Sequence, residues 1–158
     1  MSIINNKAHF LHQHLKTIEV LPILGKEDGF SNYLTQRGIN NTSKHWEKDH
    51  SSIDWENKHD TYQFFFDYEG NEKEITEWLA NSKLKNHSHI ITWLSWEDPI
   101  IKIPVVDFIN YWEEIYLASV EGFVAITEDS SLIIEFTDDF KYHLNSNFQI
   151  KPNSKNSW

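Results

Sequence analysis

Apolar residues recur at helical spacing in three stretches of the chain. Residues 8–21 are predicted to form a short helix that Pro22 ends. Asn71 and Glu74 have the spacing of a capping box, which predicts the start of a second helix. Pro104 suits the first turn of a third helix, because its missing N–H needs no partner there. The buried stripe of that helix would be Val105, Phe108, Ile109, Trp112 and Ile115.

Other apolar runs are rich in aromatic and β-branched residues and predict strands. They are residues 62–68, 89–96, 100–103, 123–127, 132–137, 141–144 and 147–150. Turn-forming residues separate the last four runs, so these should pair antiparallel as a meander. The predicted class is α+β: an antiparallel sheet of about five to six strands with a C-terminal meander, packed by two to three helices.

The length of 158 residues fits a single domain spanning residues 1–158. Residues 1–59 form its N-terminal part, with one helix and many loops, and residues 60–150 form the α+β core. Residues 151–158 are predicted to be a loose tail. Within the N-terminal part, the polar stretch 25–57 should be loops held by four aromatic anchors: Phe30, Tyr33, Trp46 and Trp55.

The composition excludes several classes of protein. The chain has no cysteine, so disulfide scaffolds, thiolate metal sites and cysteine nucleophiles are ruled out. No apolar run has the roughly 20 residues that span a bilayer, and residues 1–6 lack the features of a signal peptide. We therefore predict a cytoplasmic protein that does not bind membranes.

The negative charge is concentrated in one part of the chain. The formal net charge is −10 at pH 7. Residues 86–140 contain 11 acidic residues and only one basic residue, Lys102. Such a balance repels phosphate backbones and anionic lipids and favours a basic partner. It also opposes self-association, which predicts a monomer or weak dimer.

The common catalytic motifs are absent. The sequence contains no GxxxxGK[ST] loop, no GxGxxG after a strand, no GxSxG elbow and no HExxH, and it has only five glycines. The aromatic residues near Trp93 and Trp112 are interleaved with acids rather than with Lys or Arg, which disfavours nucleic-acid binding. We therefore expect no enzyme activity and no cofactor.

Histidine clusters supply an alternative. The stretch from His45 to Asp60 is dense in possible metal ligands, which would suit a divalent ion in a small metal-dependent hydrolase or ligand-binding enzyme. The candidate ligands are His45, Glu47, Asp49, His50, Asp54, His59 and Asp60. Its spacing matches no metal motif, so polar surface histidines are the simpler interpretation and no metal is predicted. His87 and His89 flank a strand start, where their imidazoles would point to the same face.

The acidic residues have two possible roles. Carboxylates on turns and helix surfaces can simply solvate exposed ends. Alternatively, several form one anionic surface for a partner, because residues 103–140 contain nine acids and no Lys or Arg. The candidate partner-binding residues are Trp96 as an anchor, with Asp107, Glu114, Glu121, Glu128, Asp129, Asp138 and Asp139.

The whole chain resembles the immunity proteins of bacterial polymorphic toxin systems, including those of contact-dependent growth inhibition. The resemblance lies in general character and in three segments, which are residues 93–99, the helix after Pro104 and the strand pair 122–139. It implies a cytoplasmic protein without catalytic activity that binds the C-terminal domain of a secreted toxin, often a basic nuclease, and blocks its active site.

Overall fold

The computed structural model describes eight segments of the chain. They are residues 18–24, 29–41, 52–55, 61–66, 70–93, 99–119, 122–137 and 143–152.

Seven strands and three α-helices make up the regular structure of the described segments. The strands are β1 (Glu19–Leu24), β2 (Tyr62–Phe65), β3 (His89–Trp93), β4 (Pro99–Pro104), β5 (Phe123–Thr127), β6 (Ile133–Thr137) and β7 (His143–Ser146). The helices are α1 (Gly29–Gln36), α2 (Glu72–Asn81) and α3 (Val105–Ala118), and a 3₁₀ turn (Lys83–Asn86) follows α2.

The strands form a single antiparallel sheet in the order β1-β4-β3-β5-β6-β7-β2. Strands β5, β6 and β7 pair consecutively, which confirms the predicted meander. The α+β class is also confirmed. The sheet has seven strands rather than five to six, because β1 was not expected.

One face of the sheet carries α2 and α3. The predicted stripe of α3 is fully buried there, from Val105 to Ile115. The ring of Phe136 lies at the centre of this layer, with its centroid 4.8 to 6.5 Å from those of Phe66, Phe108, Trp112, Tyr116 and Phe123. The indole Nε1 of Trp112 donates to Thr76 Oγ1 at 2.9 Å and so joins α3 to α2.

The opposite face is covered by α1 and by residues 39–55 as far as they are described. Phe30, Tyr33 and Leu34 pack with Trp55 against Ile91 and other sheet residues. Three of the four predicted anchors, Phe30, Tyr33 and Trp55, are buried, and Trp46 lies outside the described residues. The sheet consequently has a hydrophobic layer on each side.

Helix α1 corrects the prediction that residues 25–57 are all loop. It ends in a Schellman motif, in which Ile39 N donates to Leu34 O at 3.0 Å and Gly38 N to Thr35 O at 3.0 Å. Gly38 takes the left-handed conformation that this motif needs, with φ 74°. Phe30 and Leu34 are four residues apart on the buried side, a helical signal that the polar surroundings obscured.

Strand β1 corrects the predicted helix over residues 8–21. Residues 19–21 belong to a strand that continues through Pro22, and residues 8–17 lie outside the described part of the chain. Pro22 lies where the pairing with β4 changes register, between Val20 and Leu24. Proline is compatible with an irregular edge strand, so it does not end the element.

Two smaller predictions were also wrong. Asn71 occupies the N-cap position of α2, but its side chain makes no capping hydrogen bond, so the expected capping box with Glu74 does not form. Residues 147–150 are not a strand. Instead, the Asn147 side-chain amide accepts from Ile133 N at 2.8 Å and donates to Ser131 O at 2.9 Å, which ties the chain after β7 to the start of β6.

A buried carboxylate ties residues 52–55 to the sheet. Glu135, in β6, is 3% exposed. Its Oε1 accepts from Trp55 Nε1 at 2.8 Å and its Oε2 from Ser52 N at 2.7 Å. Burying a polar group without a hydrogen bond costs free energy. The loss of Glu135 would therefore leave its two donors without an acceptor, and the loss of a donor would leave the carboxylate less well satisfied.

Gly122 is expected to be far less tolerant of alanine than Gly38. Both have positive φ, but only at Gly122 would an added Cβ collide with backbone, at the carbonyl of Phe136. At Gly38 no atom lies within 4 Å of the new Cβ. We expect Gly38→Ala to cost about 1 kcal/mol of unfolding free energy and Gly122→Ala about 2 kcal/mol or more. Urea unfolding of both variants measures this, and equal losses would contradict it.

None of the described helices is both long enough and apolar enough to cross a bilayer.

Candidate partner-binding surface

The structure describes four of the eight predicted partner-binding residues. Asp107 and Glu114 lie on α3, and Glu128 and Asp129 lie in the turn between β5 and β6. The remaining four are outside the described residues: Trp96, Glu121, Asp138 and Asp139. The described acids form two groups, which differ in their surroundings.

Asp129 is a structural residue of the β5–β6 turn. Its Oδ1 accepts from Ser131 N at 3.0 Å, from Ser131 Oγ at 2.7 Å and from Thr127 Oγ1 at 2.8 Å. These hydrogen bonds, led by the one from the Ser131 backbone, lower the pKa of Asp129 from 3.8 to about 2. Ser130 beside it has a positive φ of 64°, as tight turns often require.

The low pKa of Asp129 gives a prediction for acid conditions. The folded-state pKa of Asp129 lies below its ordinary value of 3.8. The carboxylate therefore makes its full contribution to the stability of the fold above pH 3.8, and this contribution is lost as the pH falls towards 2. NMR titration of the side-chain carboxyl should give a midpoint near 2. Ser131→Ala removes one donor and should move the midpoint upward. A wild-type midpoint near 3.8 would contradict the hydrogen-bonded turn.

Glu128 is paired with positive charge. Lys102 Nζ lies 2.9 Å from Glu128 Oε1 and 3.5 Å from Glu19 Oε2. The hydrogen bond from Lys102 lowers the pKa of Glu128, and the same bond raises the pKa of Lys102. Arg37 adds a second positive charge, since it lies near Glu128 and its Nη1 is 3.5 Å from Ser130 Oγ. The charge of Glu128 is therefore compensated within the protein by Lys102 and Arg37.

The two predicted strand-start histidines contact this same turn. His87 Nδ1 lies 3.7 Å from Asp129 Oδ1, and His89 Nδ1 lies 3.7 Å from Glu128 Oε2. Within the described segments, no group of three His, Cys, Asp or Glu side chains is arranged to hold a metal ion. In the stretch from His45 to Asp60, Asp54 is the only described member of the proposed ligand set, so that metal-site hypothesis stays a prediction.

Helix α3 presents a different acidic surface. It carries Asp107, Glu113 and Glu114 and no basic residue. Asp107 and Glu114 are half-buried, and neither forms an ion pair with a Lys or Arg of the described segments. Helix α3 also exposes two apolar side chains, Val106 and Leu117, which are 61% and 53% accessible to solvent. Backbone geometry departs from helical at Tyr111, where the helix is kinked.

Sequence reasoning missed the residues that distinguish the two acidic groups. Lys102 reaches Glu128 because β4, β3 and β5 are adjacent strands, and this pairing is not visible in the local sequence. Val106 and Leu117 are not part of the buried stripe from which α3 was predicted. Their helical spacing, opposite that stripe, was the available signal.

No protein-family model, curated protein or solved structure matches this chain.

Proposed function

We propose that this protein is a cytoplasmic immunity protein, which binds a basic toxin domain such as a nuclease and neutralises it. The observation that carries the proposal is the position of the excess charge. The 55-residue stretch with 11 acids and one base includes β3, β4, α3, β5 and β6, which form the centre of the sheet and the helix packed on it.

A folded acidic scaffold can inhibit a cationic enzyme without chemistry of its own. Carboxylates held on a rigid helix present negative charge where the toxin would bind the phosphates of its substrate. Long-range attraction raises the association rate, and buried apolar contacts slow dissociation. The absence of catalytic motifs from the sequence agrees with such a passive role.

The proposal is tested by growth protection. The C-terminal domain of a secreted protein encoded immediately upstream of this gene would be expressed from an inducible promoter in a bacterial host. We expect the domain alone to arrest growth, and co-expression of this protein to restore growth and give a stable complex on gel filtration. Absence of a growth-arresting domain there, or arrest that this protein does not relieve, would contradict the proposal.

A further inference from the structure

The outward side of α3 combines two features that a protein-binding surface needs. Among the described residues, four large apolar side chains are exposed, and two of them, Val106 and Leu117, lie on this helix. The kink at Tyr111 lies between them, and Asn110, also between them in sequence, is exposed as well. Asp107 follows Val106 directly in sequence, and Glu114 precedes Leu117 by three residues, about one helical turn.

Asp107 and Glu114 of α3 differ in their surroundings from Glu128 of the β5–β6 turn. Glu128 faces two basic side chains, Lys102 and Arg37, and Glu19 lies beside Lys102. Asp107 and Glu114 have no such partner among the described residues. A basic partner would therefore gain more by approaching α3, because at the turn it must compete with charges that are already paired.

We infer that the outer face of α3, formed by Val106, Asp107, Asn110, Glu114 and Leu117, is the docking site for a basic protein surface. The partner would place Lys or Arg side chains against Asp107 and Glu114 and an apolar patch over Val106 and Leu117. This inference rests on the proposed function for the identity of the partner. A second copy of this chain is disfavoured, since it would bring α3 acids against α3 acids.

The test uses the full chain labelled with ¹⁵N and, as probe, a short amphipathic helical peptide made only of Lys and Leu. At an ionic strength of about 0.02 M, where screening is weak, we expect the peptide to shift the amide signals of residues 105–118. Shifts centred on residues 128–131 would overturn the inference.

Two pairs of variants separate α3 from the turn. Asp107→Asn with Glu114→Gln should weaken peptide binding about fivefold to tenfold. The control, Glu19→Gln with Glu128→Gln, removes the same charge from beside Lys102 and keeps the hydrogen bonds that Asp129 accepts within its turn, so its affinity should stay within about twofold of wild type. Equal weakening by both pairs would overturn the inference, because it would show only a general effect of net charge.

A second pair of variants, with its own control, tests how Val106 and Leu117 contribute to peptide binding. Val106→Ser with Leu117→Ser should speed peptide dissociation about tenfold. Val20→Thr with Phe65→Thr alters the two exposed apolar residues of the edge strands and should leave dissociation unchanged. The reverse pattern would overturn the inference. The inference would also be overturned if the wild-type protein formed a dimer at low salt and the Val106→Ser, Leu117→Ser variant did not. That result would show that a second copy of the chain occupies this face.

These outcomes are independent of the growth assay. If wild type protects cells but the α3 variants protect equally well and the peptide shifts lie elsewhere, only the docking site is wrong. If the peptide binds α3 as expected but wild type does not relieve growth arrest, only the proposed function is wrong.

Discussion

Replacing Glu135 with Leu is expected to lower the free energy of unfolding by about 3 to 5 kcal/mol. The leucine removes the acceptor of a buried donor, Trp55 Nε1, and of a partly buried one, Ser52 N, and supplies no other acceptor. Each orphaned donor costs about 1 to 3 kcal/mol. Urea unfolding measures the loss. Glu74→Leu, at an exposed carboxylate of α2, is the control and should change stability by less than about 0.5 kcal/mol.

A double-mutant cycle shows whether the loss of stability comes from the Trp55–Glu135 hydrogen bond or from the shape of the leucine side chain. Trp55→Phe alone removes one donor and should cost about 1 to 2 kcal/mol. Combined with Glu135→Leu, it also removes one orphaned donor, so the double variant should lose less than the sum of the two single losses. Additive losses would show that Trp55 and Glu135 act independently, contrary to the structure.

Association with the toxin domain should slow by an order of magnitude or more when ionic strength rises from about 0.01 M to about 0.15 M. The Debye length falls over this range from about 30 Å to about 8 Å, so the acidic surface attracts the toxin domain over a shorter distance. Dissociation should barely change, because contacts at short range are little screened. Stopped-flow fluorescence at the two salt concentrations measures both rates, and a salt-independent association rate would contradict steering by charge.

The parts of the fold that could be predicted are those determined by local pattern. The buried stripe of α3 follows directly from the spacing of Val105, Phe108 and Trp112, and short turns between β-rich runs required the meander. In both places, neighbours in sequence are also neighbours in space. Local reasoning was therefore sufficient.

The errors occurred where tertiary contacts decide the structure. Residues 19–21 have apolar neighbours at helical spacing, yet they pair with β4, which lies about 80 residues later in the chain. Helix α1 has one short buried side in a polar stretch, and its stability comes from packing on the sheet. Neither contact can be read from the local sequence.

The candidate site was predictable only in part. The acidic excess and the turn position of Glu128 and Asp129 were visible in the sequence. Their roles were not, because the structure shows Asp129 bonded within its turn and Glu128 paired with Lys102 from another strand. The exposed Val106 and Leu117 indicate a docking face only in combination with Asp107 and Glu114, which have no basic partner among the described residues.

The most direct test of the central claim compares two charge-neutralised variants in association with the toxin domain at an ionic strength of about 0.01 M. One carries Asp107→Asn and Glu114→Gln on α3, and the other carries Glu19→Gln and Glu128→Gln beside Lys102. Both remove two negative charges. We predict that the α3 variant associates about fivefold to tenfold more slowly than wild type and that the other stays within about twofold. Equal rates for the two variants, or slowing by the Lys102 pair alone, would contradict binding through α3.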